Sequence, residues 1–212
     1  MRTREAILRD VRRNLGRDAG QTPPSPPPAR ICVPEVPRDE RIASMLERVA
    51  ALAGRTLHAH STAEAVDYVG ARTRGATSVA SNAPFLRQIG ITSLPGVESG
   101  FTDERNLREI CARAEVGITS ADYALADTGT LVMIASPSEA RLVSLVPPVH
   151  IAVVPAERIL TGLDELFALH PLPAEQTSSM VLITGPSRTA DIEQILVRGV
   201  HGPGEIHVVI ID

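Results

Sequence analysis

Residues 181–197 read VLITGPSRTADIEQILV: an apolar run enters a Gly-Pro-Ser-Arg-Thr loop at 185–189, and a stretch of mixed polar and aliphatic residues follows. That order predicts a strand, a tight loop and then a helix over Thr189 to Val197. Three other runs in the same half, GTLVMIAS, HIAVVP and EIHVVIID, are rich in aliphatic residues and lack polar alternation, as expected for strands covered on both faces. RTLHAH and TSVAS read as shorter strands. Helical patterns lie between them: DERIASMLERVAALAG ending at Gly54, STAEAVDYVGARTRG with Ser61 and Glu64 as a capping box, Ala83 to Gln88, TDERNLREICARAEV, and Gly162 to Leu169. The alternation predicts an α/β fold in which a central, mostly parallel sheet is flanked by helices, with EIHVVIID as a late strand.

With 212 residues, 43% hydrophobic and 22% charged, the chain suits one well-buried core, and a second full domain is not expected. Only 2% is aromatic and Trp is absent, so Val, Ile, Leu and Ala must fill that core. Residues 1–18 form an amphipathic pattern, with Ile7, Leu8, Val11 and Leu15 between arginines. Such a helix docks on its own domain or on a partner, or lies on a membrane surface. Prolines 23, 24, 26, 27, 28, 34 and 37 make residues 19–38 an extended linker, leaving 39–212 as the single α/β domain. A net charge of −4 without an Arg block argues against nucleic acid. Cys32 and Cys111 are isolated, so no metal site is expected and both read as reduced thiols of a cytoplasmic protein. The N-terminus has no signal-like apolar region, and no apolar run is long enough for a membrane span.

Ligands of open α/β sheets gather beyond the carboxyl ends of strands, which directs attention to three segments. In the first, the Gly185 turn, Ser187 and Thr189 hydroxyls and Arg188 guanidinium could hold an anion at a helix start. The same residues equally make a capped helix with a solvated arginine. The second is ALADTGTLVM, where Asp127 offers a base or nucleophile and Thr128, Gly129 and Thr130 could orient a substrate, or simply form a turn. The third contributes Arg141 as a carboxylate clamp, His201 as an acid or base in a Gly-rich turn, and His150, which reads as structural. Neither a Walker loop nor a dinucleotide fingerprint is present.

Across ALADTGTLVM (124–133), SLVPPVHIAVV (144–154) and GPSRTADIEQILVRGVHGPGEIHVVIID (185–212) the chain resembles the lactate utilization protein C family, the LUD-domain or YkgG-like proteins. The resemblance implies a fold similar to the NagB/RpiA/CoA-transferase-like group. It further implies cytosolic work in oxidising L-lactate to pyruvate beside partner subunits that carry iron–sulfur clusters, with no cofactor held by this chain. The family pattern has Glu at position 127, giving AETGT, so Asp127 reaches one methylene less far. The alternative is a stand-alone enzyme or binding protein for a phosphorylated sugar or an acyl-CoA, motivated by Asp127, Arg188 and the anion-friendly loop.

Overall fold

The computed structural model describes residues 3–18, 20–21, 31–190 and 196–212, except for the side chains of 190 and 196–198. Two units are distinguished, residues 1–30 and 31–212. The first holds α1 (Arg4–Asn14), the amphipathic helix expected from the sequence; the Thr3 hydroxyl accepts a hydrogen bond from the Ala6 amide, and Arg12 and Arg13 occupy its last turn.

The second unit begins with α2 (Arg38–Ala51), β1 (Arg55–Ala59), α3 (Thr62–Thr73), β2 (Ser78–Ala80), α4 (Pro84–Gln88), β3 (Val97–Glu98) and α5 (Glu104–Arg113). It continues with β4 (Val116–Ser120), β5 (Tyr123–Leu125), β6 (Thr130–Ile134), α6 (Arg141–Leu145), β7 (Val149–Pro155), β8 (Ile159–Leu160) and α7 (Leu163–Leu169). It closes with α8 (Pro173–Gln176), β9 (Met180–Ile183), β10 (Arg188–Ala190), β11 (Leu196–Arg198) and β12 (Glu205–Ile211).

Six strands form a wholly parallel sheet in the order β1-β12-β7-β4-β2-β3. The two longest, β7 and β12, are neighbouring inner strands, and Ile206 to Ile211 are all buried. One face, through Ile118, Ile151, Val153, Val209 and Ile211, packs on Ala65 and Val69 of α3 and Leu86 of α4. The other, through Ala152, Val154, Val208 and Ile210, packs on Ile42, Met45 and Val49 of α2 and on Ala124, Leu131 and Met133 of a second sheet. The α/β architecture with a central parallel sheet flanked by helices is therefore the one expected.

The second sheet, in the order β8-β5-β6-β9, was not expected. It takes GTLVMIAS and SSMVLITG out of the central sheet, because β5 and β6 are joined by only four residues and such a connection returns the chain antiparallel. Its outer face, Leu125, Val132 and Leu160, is covered by Leu166 of α7.

One expectation is overturned outright. Thr189 to Val197 do not begin as a helix: Arg188–Ala190 pair antiparallel with Leu196–Arg198, and the Gly199 amide donates to the Ser187 carbonyl. Residues 191–195 lie outside the described residues. Here a ladder between two short strands satisfies backbone groups that a helix would satisfy locally, and the aliphatic run Ile-Leu-Val suits either arrangement.

Candidate functional site

The parallel sheet sends β2, β4 and β7 toward one edge, and there a cleft of about 330 Å3 opens. Its walls come from where the chain leaves each strand: Ser120 and Asp122 after β4, Glu157 and Arg158 after β7, and Ser136, Ser138 and Glu139 from the loop between β6 and α6. This is the edge at which open α/β sheets bind ligands.

Glu139 is the unusual member. It is buried, its Oε2 accepts a hydrogen bond from the Ser81 hydroxyl at 2.8 Å, and its Oε1 has no hydrogen-bond partner. Burial pushes the Glu139 carboxyl up to about 8; the Ser81 hydrogen bond opposes this, the Asp122 charge adds to it, and the nearby Ser120 backbone amide opposes it. At neutral pH the group is mostly a neutral acid, and the residue lines the cleft. Asp122 is half-buried, and its Oδ2 accepts the Ile134 amide at 2.6 Å. Desolvation raises its pKa, while the Ile134 amide and the Arg158 charge pull it down. The Arg158 guanidinium lies 5.5 Å from the centroid of the Tyr123 ring, whose edge meets His170. A cation, a neutral acid and several hydroxyls thus face one polar space.

The residues singled out from sequence fall into three groups. Asp127, Thr128 and Thr130 form a hydrogen-bonded chain that continues to Thr184: Thr128 Oγ1 donates to Asp127 Oδ1 at 3.1 Å, and Thr130 Oγ1 contacts Thr128 and Thr184, each at 2.8 Å. Gly129 lies at φ +69°, and a Cβ there would stand 2.8 Å from Arg48 Cβ, so the turn rests directly on α2. Gly185 approaches Leu52 in the same way, and Arg188 donates to the Leu52 carbonyl. The C-terminal end of α2 therefore gathers Asp127, Thr128, Gly129, Thr130, Gly185 and Arg188. Arg188 satisfies a helix-end carbonyl there rather than flanking a helix N-terminus.

Ser187 and His201 form the second group, joined by a 3.4 Å hydrogen bond from the His201 amide to Ser187 Oγ; Thr189 pairs with Val197 in the β10–β11 ladder. Arg141 stands alone. Its guanidinium meets Ser179 Oγ at 3.3 Å, at the opposite end of the β6–β9 pair from Thr130 and Thr184, and it lines a neighbouring open cleft of about 790 Å3. Asp127 also lines a cleft of about 340 Å3 with Cys32 and the start of α7, apart from the Glu139 cleft. His150 is wholly buried on β7 with Thr119 at 2.8 Å, and burial lowers its pKa to about 4.

Sequence reading passed over Glu139 and Arg158. The available signal was positional: both lie a few residues beyond the end of a strand, β6 for Glu139 and β7 for Arg158, where the carboxyl-end rule looks for ligands. Among the described residues, His58, His60 and Asp212 are a set close enough to hold a metal ion, on the neighbouring β1–β12 pair.

The chain is similar to known proteins. The LUD domain family model matches residues 40–211. Lactate utilization protein C of Halalkalibacterium halodurans is 34% identical over 148 residues, which cover 66% of this chain and 64% of that protein. Lactate utilization protein C of Exiguobacterium sp. is 38% identical over 108 residues, 49% of this chain and 47% of that protein. The chain thus spans about half to two thirds of the length of these curated relatives. A crystal structure of a DUF162 family protein from Deinococcus radiodurans shares the fold with a TM-score of 0.66 at 19% identity, covering 84% of this chain and 100% of that one.

Proposed function

Given that the chain belongs to the LUD domain family, as the match over residues 40–211 establishes, we propose that it is a component of a lactate utilization system and binds a small 2-hydroxy- or 2-oxocarboxylate in the Glu139 cleft. The relatives named lactate utilization protein C support the system. The observation that carries the site is a buried, mostly neutral carboxyl on a residue that lines the same cleft as an arginine.

The chemistry follows from the groups present. Arg158 pairs with the ligand carboxylate, and the protonated Glu139 donates to the oxygen on the ligand C2, whether hydroxyl or carbonyl. Asp122 accepts from a 2-hydroxyl and distinguishes it from a 2-oxo group. A space of about 330 Å3 is at the small end for ligand clefts and suits a metabolite of a few heavy atoms. Lactate oxidation to pyruvate releases two electrons and two protons, and the two cysteines of this sequence are too few for a four-cysteine cluster. Following the resemblance to the lactate utilization protein C family, we assign the electrons to iron–sulfur partner subunits, and the chain's own part is to bind and orient. The phosphorylated-ligand alternative loses its main support, because the loop at 185–189 leads into a strand and Arg188 is engaged with Leu52.

Calorimetric titration of the purified chain with L-lactate, pyruvate and inorganic phosphate tests this reading. One saturable site for lactate or pyruvate is expected, weakened at least tenfold by Arg158→Ala and altered by Glu139→Gln. Binding that ignores both substitutions, or phosphate bound in preference to the two acids, would overturn it.

A further inference from the structure

A second cluster, made of residues that do not line the cleft, stands at the same carboxyl edge of the sheet, where β1 and β12 end. His58 lies in β1 and His60 just past its end, two residues on, and both side chains reach Asp212. The β1–β12 register, with Ala59 opposite Ile211 and the Asp212 amide donating to the Ala59 carbonyl, brings Asp212 beside them. His58 Nε2 lies 3.0 Å from Asp212 Oδ1 and His60 Nδ1 lies 2.7 Å from Oδ2, so each carboxylate oxygen meets a different imidazole. The ring centroids are 4.5 Å apart. Arg38 donates to Oδ1 at 2.9 Å, and the Glu64 carboxylate fixes the His60 backbone amide at 2.8 Å.

We propose that His58, His60 and Asp212 form a binding site for a divalent transition-metal ion, of which zinc is the representative probe. Around such an ion, bonds of about 2.0–2.2 Å place neighbouring donor atoms about 2.9–3.5 Å apart. The present nitrogen–oxygen separations need to open by only a few tenths of an ångström, and the donor atoms of all three groups already lie within 4.8 Å of one another. The ion binds through the lone pairs of His58 Nε2 and His60 Nδ1, with each neutral imidazole carrying its single proton on the other ring nitrogen and any further proton released to solvent. Arg38 then orients the ligating carboxylate from behind, as outer hydrogen-bond donors do in metal sites. Two imidazoles and one carboxylate favour zinc, cobalt or nickel over magnesium, which prefers oxygen. With three protein groups and an exposed His60, at least one coordination position remains for water or a small ligand.

The test uses the full chain freed of any affinity tag. Titration with zinc chloride is expected to show one saturable equivalent per chain, and cobalt a visible absorption band from the same site. His58→Ala and His60→Ala should each weaken zinc at least tenfold, and Asp212→Asn should do likewise while preserving shape. His170→Ala, which removes a histidine outside the cluster, should leave the affinity unchanged. Absence of saturable binding overturns the proposal, as does an affinity indifferent to the His58 and His60 substitutions or lowered equally by His170→Ala. Circular dichroism of each variant separates loss of the site from loss of the fold, and none of these outcomes depends on whether the Glu139 cleft binds an acid.

Discussion

Replacing Glu139 by Gln keeps the shape of the side chain and makes it permanently neutral, which isolates the cost of ionising a buried carboxyl. The folded chain holds this group up to about 8 against an ordinary 4.5. Its pKa is raised on folding, so its contribution to stability is fully present below 4.5 and is lost as the pH rises through about 8. At about 1.4 kcal/mol per pH unit the whole loss is roughly 5 kcal/mol. Over the lower part of that window His150 acts in the opposite sense. Its pKa is lowered from 6.5 to about 4, so its contribution is present above 6.5 and is lost as the pH falls toward 4. The two opposing effects largely offset each other between pH 4.5 and 6.5, and Glu139 is best isolated from pH 6.5 to 8. There the wild-type chain should lose about 2 kcal/mol that Glu139→Gln retains. The sequence contains no Trp, so urea unfolding is best followed by far-ultraviolet circular dichroism at each pH. A gap between the two proteins that stays constant from pH 6.5 to 8 would refute the reasoning, because a packing difference alone does not titrate.

Other substitutions probe the scaffold. Gly129→Ala combines a left-handed backbone with a Cβ 2.8 Å from Arg48 Cβ and 2.9 Å from the Val49 nitrogen, and should cost about 2–4 kcal/mol in urea unfolding. Thr119→Val leaves both ring nitrogens of the wholly buried His150 without partners and should destabilise by about 1–3 kcal/mol, seen as a lowered Tm. Arg188→Ala removes the hydrogen bond to the Leu52 carbonyl and should cost about 1 kcal/mol while leaving acid binding intact; lost ligand affinity with unchanged stability would return this arginine to a ligand site.

Much of this architecture was legible in the chain. Aliphatic runs without alternation marked β7 and β12 as strands covered on both faces, and the Ser61–Glu64 pair marked the start of α3: the Glu64 amide donates to Ser61 Oγ at 3.3 Å. These signals are local, because periodicity and capping are written within one turn or one strand. The strand–loop–helix reading of residues 181–197 had the strand and the loop but missed β10 and β11, whose pairing partners are held by the fold rather than by adjacent sequence. The same limit applies to the sites. Asp127, Thr128 and Thr130 could be read together because they are neighbours, and they remain together in the structure. Glu139 comes to Ser81 from 58 positions away, and His60 to Asp212 from 152. Composition and short-range pattern determined most of the helices and strands, with the β10–β11 pair an exception. Tertiary structure alone decided which carboxyl is desolvated and which histidines share a carboxylate, because desolvation and juxtaposition depend on every element packed around a group.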